Sequence, residues 1–170
     1  MTQNFSQYFR ALQILFFALL AGQIGVTILL YVVHTPPTVD ASWAQEVTTW
    51  LPLLLVLQAG LAFFLSRKKL ESARSQPTVE GKLEGYRVAS ILKWALLEGG
   101  TLISVVLFFV LGNITFLYYA GMMIVLFATQ FPSRQRLVND LDISANEQMR
   151  LDDPNAMVAQ SRRYNLPNSH

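Results

Sequence analysis

The chain of 170 residues contains no cysteine. That absence excludes disulfides, thiolate metal sites, a cysteine nucleophile and a lipoprotein anchor. Charge is also scarce: Asp, Glu, Lys and Arg make up 14% of the residues, against about a quarter in a soluble domain. Histidine occurs only as His34 and His170. There is no HExxH, no GxSxG, no phosphate-binding glycine loop and no carboxylate cluster at metal-ligand spacing. His34, Asp40 and Glu46 share one short stretch, which reads as an ordinary solvated loop. The expectation is a protein that is not an enzyme and holds no metal or cofactor. A net charge of +2 gives no reason to expect a nucleic-acid partner.

What the chain does have is apolar length. Four runs, about residues 11–33, 47–65, 88–111 and 114–131, are each able to cross roughly 30 Å of hydrocarbon. All 13 lysines and arginines fall to one side of the boundary these runs define. Arg67, Lys68 and Lys69 end the second run, and Lys93 lies just inside the third. The segments His34–Glu46 and Gly112–Asn113 carry no lysine or arginine. Basic segments resist translocation, so both termini are expected in the cytoplasm of a bacterium, with the chain in its inner membrane. The first run is too long for a signal-peptide core and no A-x-A-like site follows it, so it reads as a retained span.

The expected fold is all-α, a four-helix transmembrane bundle of two tandem hairpins. Residues 1–132 form the membrane domain, with a cytoplasmic linker at 66–87, and residues 133–170 form a cytoplasmic tail, partly disordered. His34-Thr35-Pro36-Pro37 stops the first helix. Tyr31, Trp43, Trp50, Tyr118 and Tyr119 mark the outer interface. Pro52 is expected in the first turn of the second span, where its missing N–H costs little. Gly112-Asn113 forces a tight antiparallel turn.

The chain repeats itself. Laying Phe9–Val33 over Tyr86–Val110 puts Arg10 on Arg87, Ile14-Leu15 on Ile91-Leu92, Ala18-Leu19-Leu20 on Ala95-Leu96-Leu97, and Gly22 on Gly99. Phe64–Arg67 falls similarly on Phe131–Arg134. Both hairpins enter from the cytoplasm, so the repeat is parallel. Ala18 with Gly22, and Ala95 with Gly99, stand four apart, and Gly25 follows Ala21 at the same spacing. Small residues at this interval let helices approach closely. Contact between the first and third spans is expected there, and the same faces suit another copy of the chain or other membrane subunits.

One residue is costly. Glu98 lies eleven residues past Arg87, about 16 Å along a helix, near the bilayer centre. A carboxylate facing lipid there costs roughly 2.5–3.5 kcal/mol or more. Gln58 lies at a similar depth and Gln23 near mid-membrane. Glu98, Gln23, Gln58 and Thr101 are therefore a candidate intramembrane polar cluster. Lys93 is expected to snorkel to the cytoplasmic surface. In the tail, Ser144 and Glu147 have capping-box spacing.

Tyr86-Arg87, Trp94-Ala95-Leu96-Leu97-Glu98-Gly99, Leu111-Gly112-Asn113, Pro132-Ser133-Arg134 through Leu137, and Asp140-Leu141 carry a resemblance. From the first span to about residue 150, the chain resembles a group of small four-span membrane proteins of Bacteroidetes-type bacteria. That group has no established activity, so the resemblance implies location and topology. The expected function is that of a structural or accessory membrane protein, complex-forming and embedded in the lipid bilayer. The rival is a small transporter or channel component that uses Glu98 to handle protons or cations.

Overall fold

Three of the apolar runs become helices longer than the runs themselves. The computed structural model describes residues 2–3, 5–34, 43–144, 147–149 and 159–160. Helix α1 spans Phe5–Val33, α2 spans Ala44–Arg74 and α3 spans Val79–Leu111. Each carries a stretch long and apolar enough to cross a membrane. The fourth run gives a shorter helix, α4, at Thr115–Ala128, and α5 follows at Arg134–Leu141. At 14 residues, α4 rises only about 21 Å. Apart from the helices, Thr2–Gln3 pairs antiparallel with Ala159–Gln160.

Backbone chemistry fixes the boundaries. Helix α2 runs through Arg67-Lys68-Lys69 to Arg74, and α3 begins at Val79, so most of the 66–87 linker is helical. Thr78 caps α3, its hydroxyl accepting from the Gly81 N–H at 3.2 Å. Gly112 ends α3 with φ 67°, a left-handed geometry that glycine adopts without a Cβ penalty. Its N–H donates to the Phe108 carbonyl at 2.8 Å, and Asn113 accepts from Thr115 N–H at 3.0 Å. Pro52 departs from expectation. Helix α2 starts at Ala44, so Pro52 lies inside it and cannot donate to the Thr48 carbonyl one turn back. The Tyr119 hydroxyl of α4 lies 3.4 Å from that carbonyl and donates to it instead.

Helix α3 is the centre of the molecule, packed by α1, α2 and α4. Its buried face includes Leu83, Trp94, Leu97, Thr101, Val105 and Phe108. Helix α1 lies beside α3 and runs parallel to it. Tyr8 donates to the Leu83 carbonyl at 2.6 Å, Phe16 meets Trp94 at 5.3 Å between centroids, and Tyr31 stacks on Phe108. The outward faces are apolar, with Ile28, Val32, Val56, Leu57, Met122 and Val125 each more than half exposed. An apolar surface of this kind is what hydrocarbon tolerates.

At one end of the bundle the chain gathers its polar segments. Arg74 Nε donates to the Asp140 carbonyl at 2.6 Å, linking the end of α2 to α5. Lys82 in the first turn of α3 pairs with Glu147 at 2.8 Å. Ser144 and Glu147 form the expected capping box: Ser144 N–H donates to Glu147 Oε2 at 2.9 Å, and Glu147 N–H donates to Ser144 Oγ at 3.4 Å. Leu137 and Leu141, both fully buried, fasten α5 beneath the bundle. Part of the expected tail is thus a folded cap; residues 145–146, 150–158 and 161–170 lie outside the described residues.

Candidate functional site

The polar residues of the spans divide between two helix interfaces. At the α1–α3 seam, the Thr101 hydroxyl donates to Gln23 Oε1 at 2.9 Å, with both residues at most 1% exposed. At the α2–α3 seam, Gln58 Nε2 donates to the Leu96 carbonyl at 2.7 Å. Helix α3 can receive Gln58 because Gly99 and Gly100 stand there. A Cβ at Gly99 would come 3.1 Å from Gln58 Nε2, and one at Gly100 would meet Met123 Cε at 2.7 Å and Leu55 Cδ2 at 3.2 Å. The expected four-residue cluster is therefore two separate hydrogen bonds, one on each side of α3.

Glu98 joins neither. It is half-buried, and among the described residues no hydrogen bond or ion pair reaches it. Its position on α3 is nevertheless pointed. Trp94 precedes it by one turn and Thr101 follows by three residues, so all three lie along one helical stripe. Trp94 is 1% exposed, and its Nε1 has no acceptor. Gln23 Nε2, also buried, has none either. The indole points to no role in the sequence beyond packing; only the structure shows its N–H buried and unpaired.

The small residues lie elsewhere than their spacing suggests. Ala18, Gly22, Gly25 and Ala95 are exposed, and a Cβ at Gly22 or Gly25 would meet nothing within 4 Å. Helix α1 does contact α3, but through large side chains: Leu12, Phe16 and Gln23. Phe16 also stacks on Phe127 of α4 at 5.0 Å. Large side chains thus make the seam, and the small stripe of α1 is turned outward. Close approach happens instead at Gly85, which the sequence did not single out, where an added Cβ would overlap Ala73 of α2.

Lys93 is half-buried rather than free at the surface. Its Nζ lies 5.9 Å from the centre of the Phe63 ring, within cation–π range. His34 packs its ring 4.7 Å from Phe108. Asp40 lies outside the described residues, among which no group of His, Asp and Glu stands close enough to hold a metal ion. An apolar cleft of about 300 Å³ opens between α2 and α4, lined by Pro52, Leu55, Ala59, Tyr119 and Met122 among others. At the cap, the acidity of Glu147 is changed. The hydrogen bond from Lys82, then that from the Ser144 N–H, holds its carboxyl below the usual carboxylate value. No protein-family model matches this sequence, and no match to it is found among curated proteins or solved structures.

Proposed function

We propose that this chain is a structural or accessory protein of a bacterial inner membrane, a non-enzymatic member of a larger assembly. In this reading it crosses four times, with both termini in the cytoplasm, as in the Bacteroidetes-type proteins it resembles. The observation that carries the reading is the use made of the polar residues within the spans. Gln23 is bonded to Thr101, and Gln58 to the Leu96 carbonyl, so both amides tie a neighbouring helix to α3. Such bonds contribute about 0.6 kcal/mol each on average in membranes, and up to about 1.7. They specify how helices pack.

Four crossings fit the path of the chain. Residues after α4 return to the α2–α3 turn, through Arg74 with Asp140 and Lys82 with Glu147. The short α4 spans with its apolar flanks, Ile114 and Phe131, and local thinning of the bilayer covers the shortfall. The outward Ala18, Gly22 and Gly25 suit a neighbour, either a second copy or another subunit. Reporter fusions at Asn113, at Gln76 and after His170 test the topology. A reporter at Asn113 is expected outside and the other two inside; an outside signal from the C-terminal fusion would remove the fourth crossing. Native mass spectrometry of the full chain from membranes tests the assembly, and a lone monomer at all concentrations would count against it.

A further inference from the structure

Two buried N–H donors and one carboxyl are left over at the α1–α3 seam: Trp94 and Glu98 on one stripe of α3, and Gln23 on α1, bonded to Thr101 of that stripe. Trp94 Nε1 and Gln23 Nε2 are buried without acceptors. Glu98 stands between their levels, about 6 Å of helical rise above Trp94 and about 4.5 Å below Thr101, to which Gln23 is bonded. A buried donor without an acceptor is costly, and a mid-membrane carboxylate without donors is costlier. Each defect is the remedy for the other. Side chains on a helix tend to lean toward its N-terminal end, which for Glu98 is the direction of the turn that bears Trp94.

We propose that Glu98 is a proton-binding site whose ionised form is received by the Trp94 indole and the Gln23 amide. The ligand is the proton. Indole is a donor only, and an ionised carboxylate is an acceptor only, so a bond from Trp94 is stronger to the charged form than to the neutral acid. Protonation forms one O–H bond and takes one proton from water; deprotonation returns it. The neutral acid no longer needs two donors and turns toward the open face of α3, beside exposed Ala95 and Leu102. Proton binding is thereby coupled to the α1–α3 seam, which gains a bridge when the proton leaves.

The groups packed around this level are neutral. Helix α1 presents Phe16 and Gln23, α2 presents Gln58 beside Gly99, and α4 presents Phe127 against Phe16. No charged side chain among the described residues bears on the Glu98 carboxyl. The nearest ionisable residue along α3 is Lys93, five positions before it, over the Phe63 ring. The inference rests on Glu98 lying within a span, and not on the number of spans or on the assembly.

The test uses the full chain in lipid nanodiscs. Infrared difference spectra of wild type against Glu98→Gln isolate the carboxyl band between about pH 5 and 9. A second form, Trp43→Phe with Trp50→Phe, leaves Trp94 as the only tryptophan, so its indole N–H can be followed by resonance Raman. The expected result is that the carboxyl band disappears with rising pH and the indole signal shifts at the same midpoint. Trp94→Phe, and independently Gln23→Leu, should each raise that midpoint by about one pH unit, since each removes a bond to the charged form. If Trp94→Phe does not fold, Gln23→Leu and the indole signal decide. A carboxyl band that persists throughout overturns the proposal, as does a titration to which the indole does not respond. Neither result would disturb the topology fusions, so failure here is separable from failure of the packing role.

Discussion

Helices α1 and α3 carry matching sequence patterns and live in different surroundings. In the apolar stretch of α3, 44% of residues are buried, against 11% in α1. Aligned positions show the divergence. Phe17 is 55% exposed while Trp94 is 1% exposed; Gly22 faces open space while Gly99 meets Gln58; Ala21 stands where α3 has Glu98. The two helices are also neighbours, with α3 packed by four helices and α1 by two. A membrane helix pattern therefore states that a segment can be buried in lipid. Its place among other helices depends on the side chains that interrupt the pattern.

The comparison is sharpest at the aromatic pair. Trp94→Ala should remove about 3–5 kcal/mol of stability, the usual cost of deleting a large buried ring, while Phe17→Ala should cost little. Unfolding in a mild detergent series measures both, and equal losses would make α1 as central as α3. Gly85→Leu comes next, with an expected loss of about 1–3 kcal/mol from overpacking against Ala73. Gly22→Ala, by contrast, has room for its methyl group and should leave the monomer unchanged in the same assay. A Gly22→Ala variant that lost self-association instead would turn the outer stripe of α1 into an interface.

Thr101→Val should cost about 0.6–1.7 kcal/mol, because it removes the bond to Gln23 while keeping the shape. Its counterpart on α1, Ile24, already lacks a hydroxyl, and Ile24→Thr should give no comparable gain. The smallest effect is expected at the cap. Glu147 is held below its ordinary value near 4.3 by Lys82 and Ser144. A lowered folded value means that its contribution is complete above the unfolded value and is lost as pH falls through the folded one. The pair is partly solvated, with side chains 13% and 23% exposed, so the effect should stay under about 1 kcal/mol. Limited proteolysis after α5 should accelerate on acidification, and Glu147→Gln should abolish most of that pH response.

That the chain is helical, with three helices long and apolar enough to cross a membrane, was legible because hydrophobic length is a local property. The turn at Gly112-Asn113 and the capping box at Ser144 and Glu147 were legible for the same reason: each is settled within four residues. Which residues the seams use was not. Ala18 and Gly22 have the spacing of a close contact, but it is Phe16 that faces α3 and α4, in ring contact with Trp94 and Phe127. Pro52 was misplaced because the helix begins at Ala44, among residues too polar to register as part of the apolar run. The site was half legible. Glu98, Gln23, Gln58 and Thr101 stood out as polar residues in apolar runs, whereas Trp94 was hidden by being apolar enough to need no explanation.

The cap has a bearing on how the chain is made. Residues 134–149 leave the ribosome after every apolar helix, yet they hold Arg74 and Lys82 at the joint between the second and third helices. That joint emerges much earlier and must wait for its clasp. Between those two moments the joint is unfastened. A segment translated after every apolar helix is therefore the one that ties the ends of α2 and α3 together, and a chain cut short before residue 134 would lack that clasp.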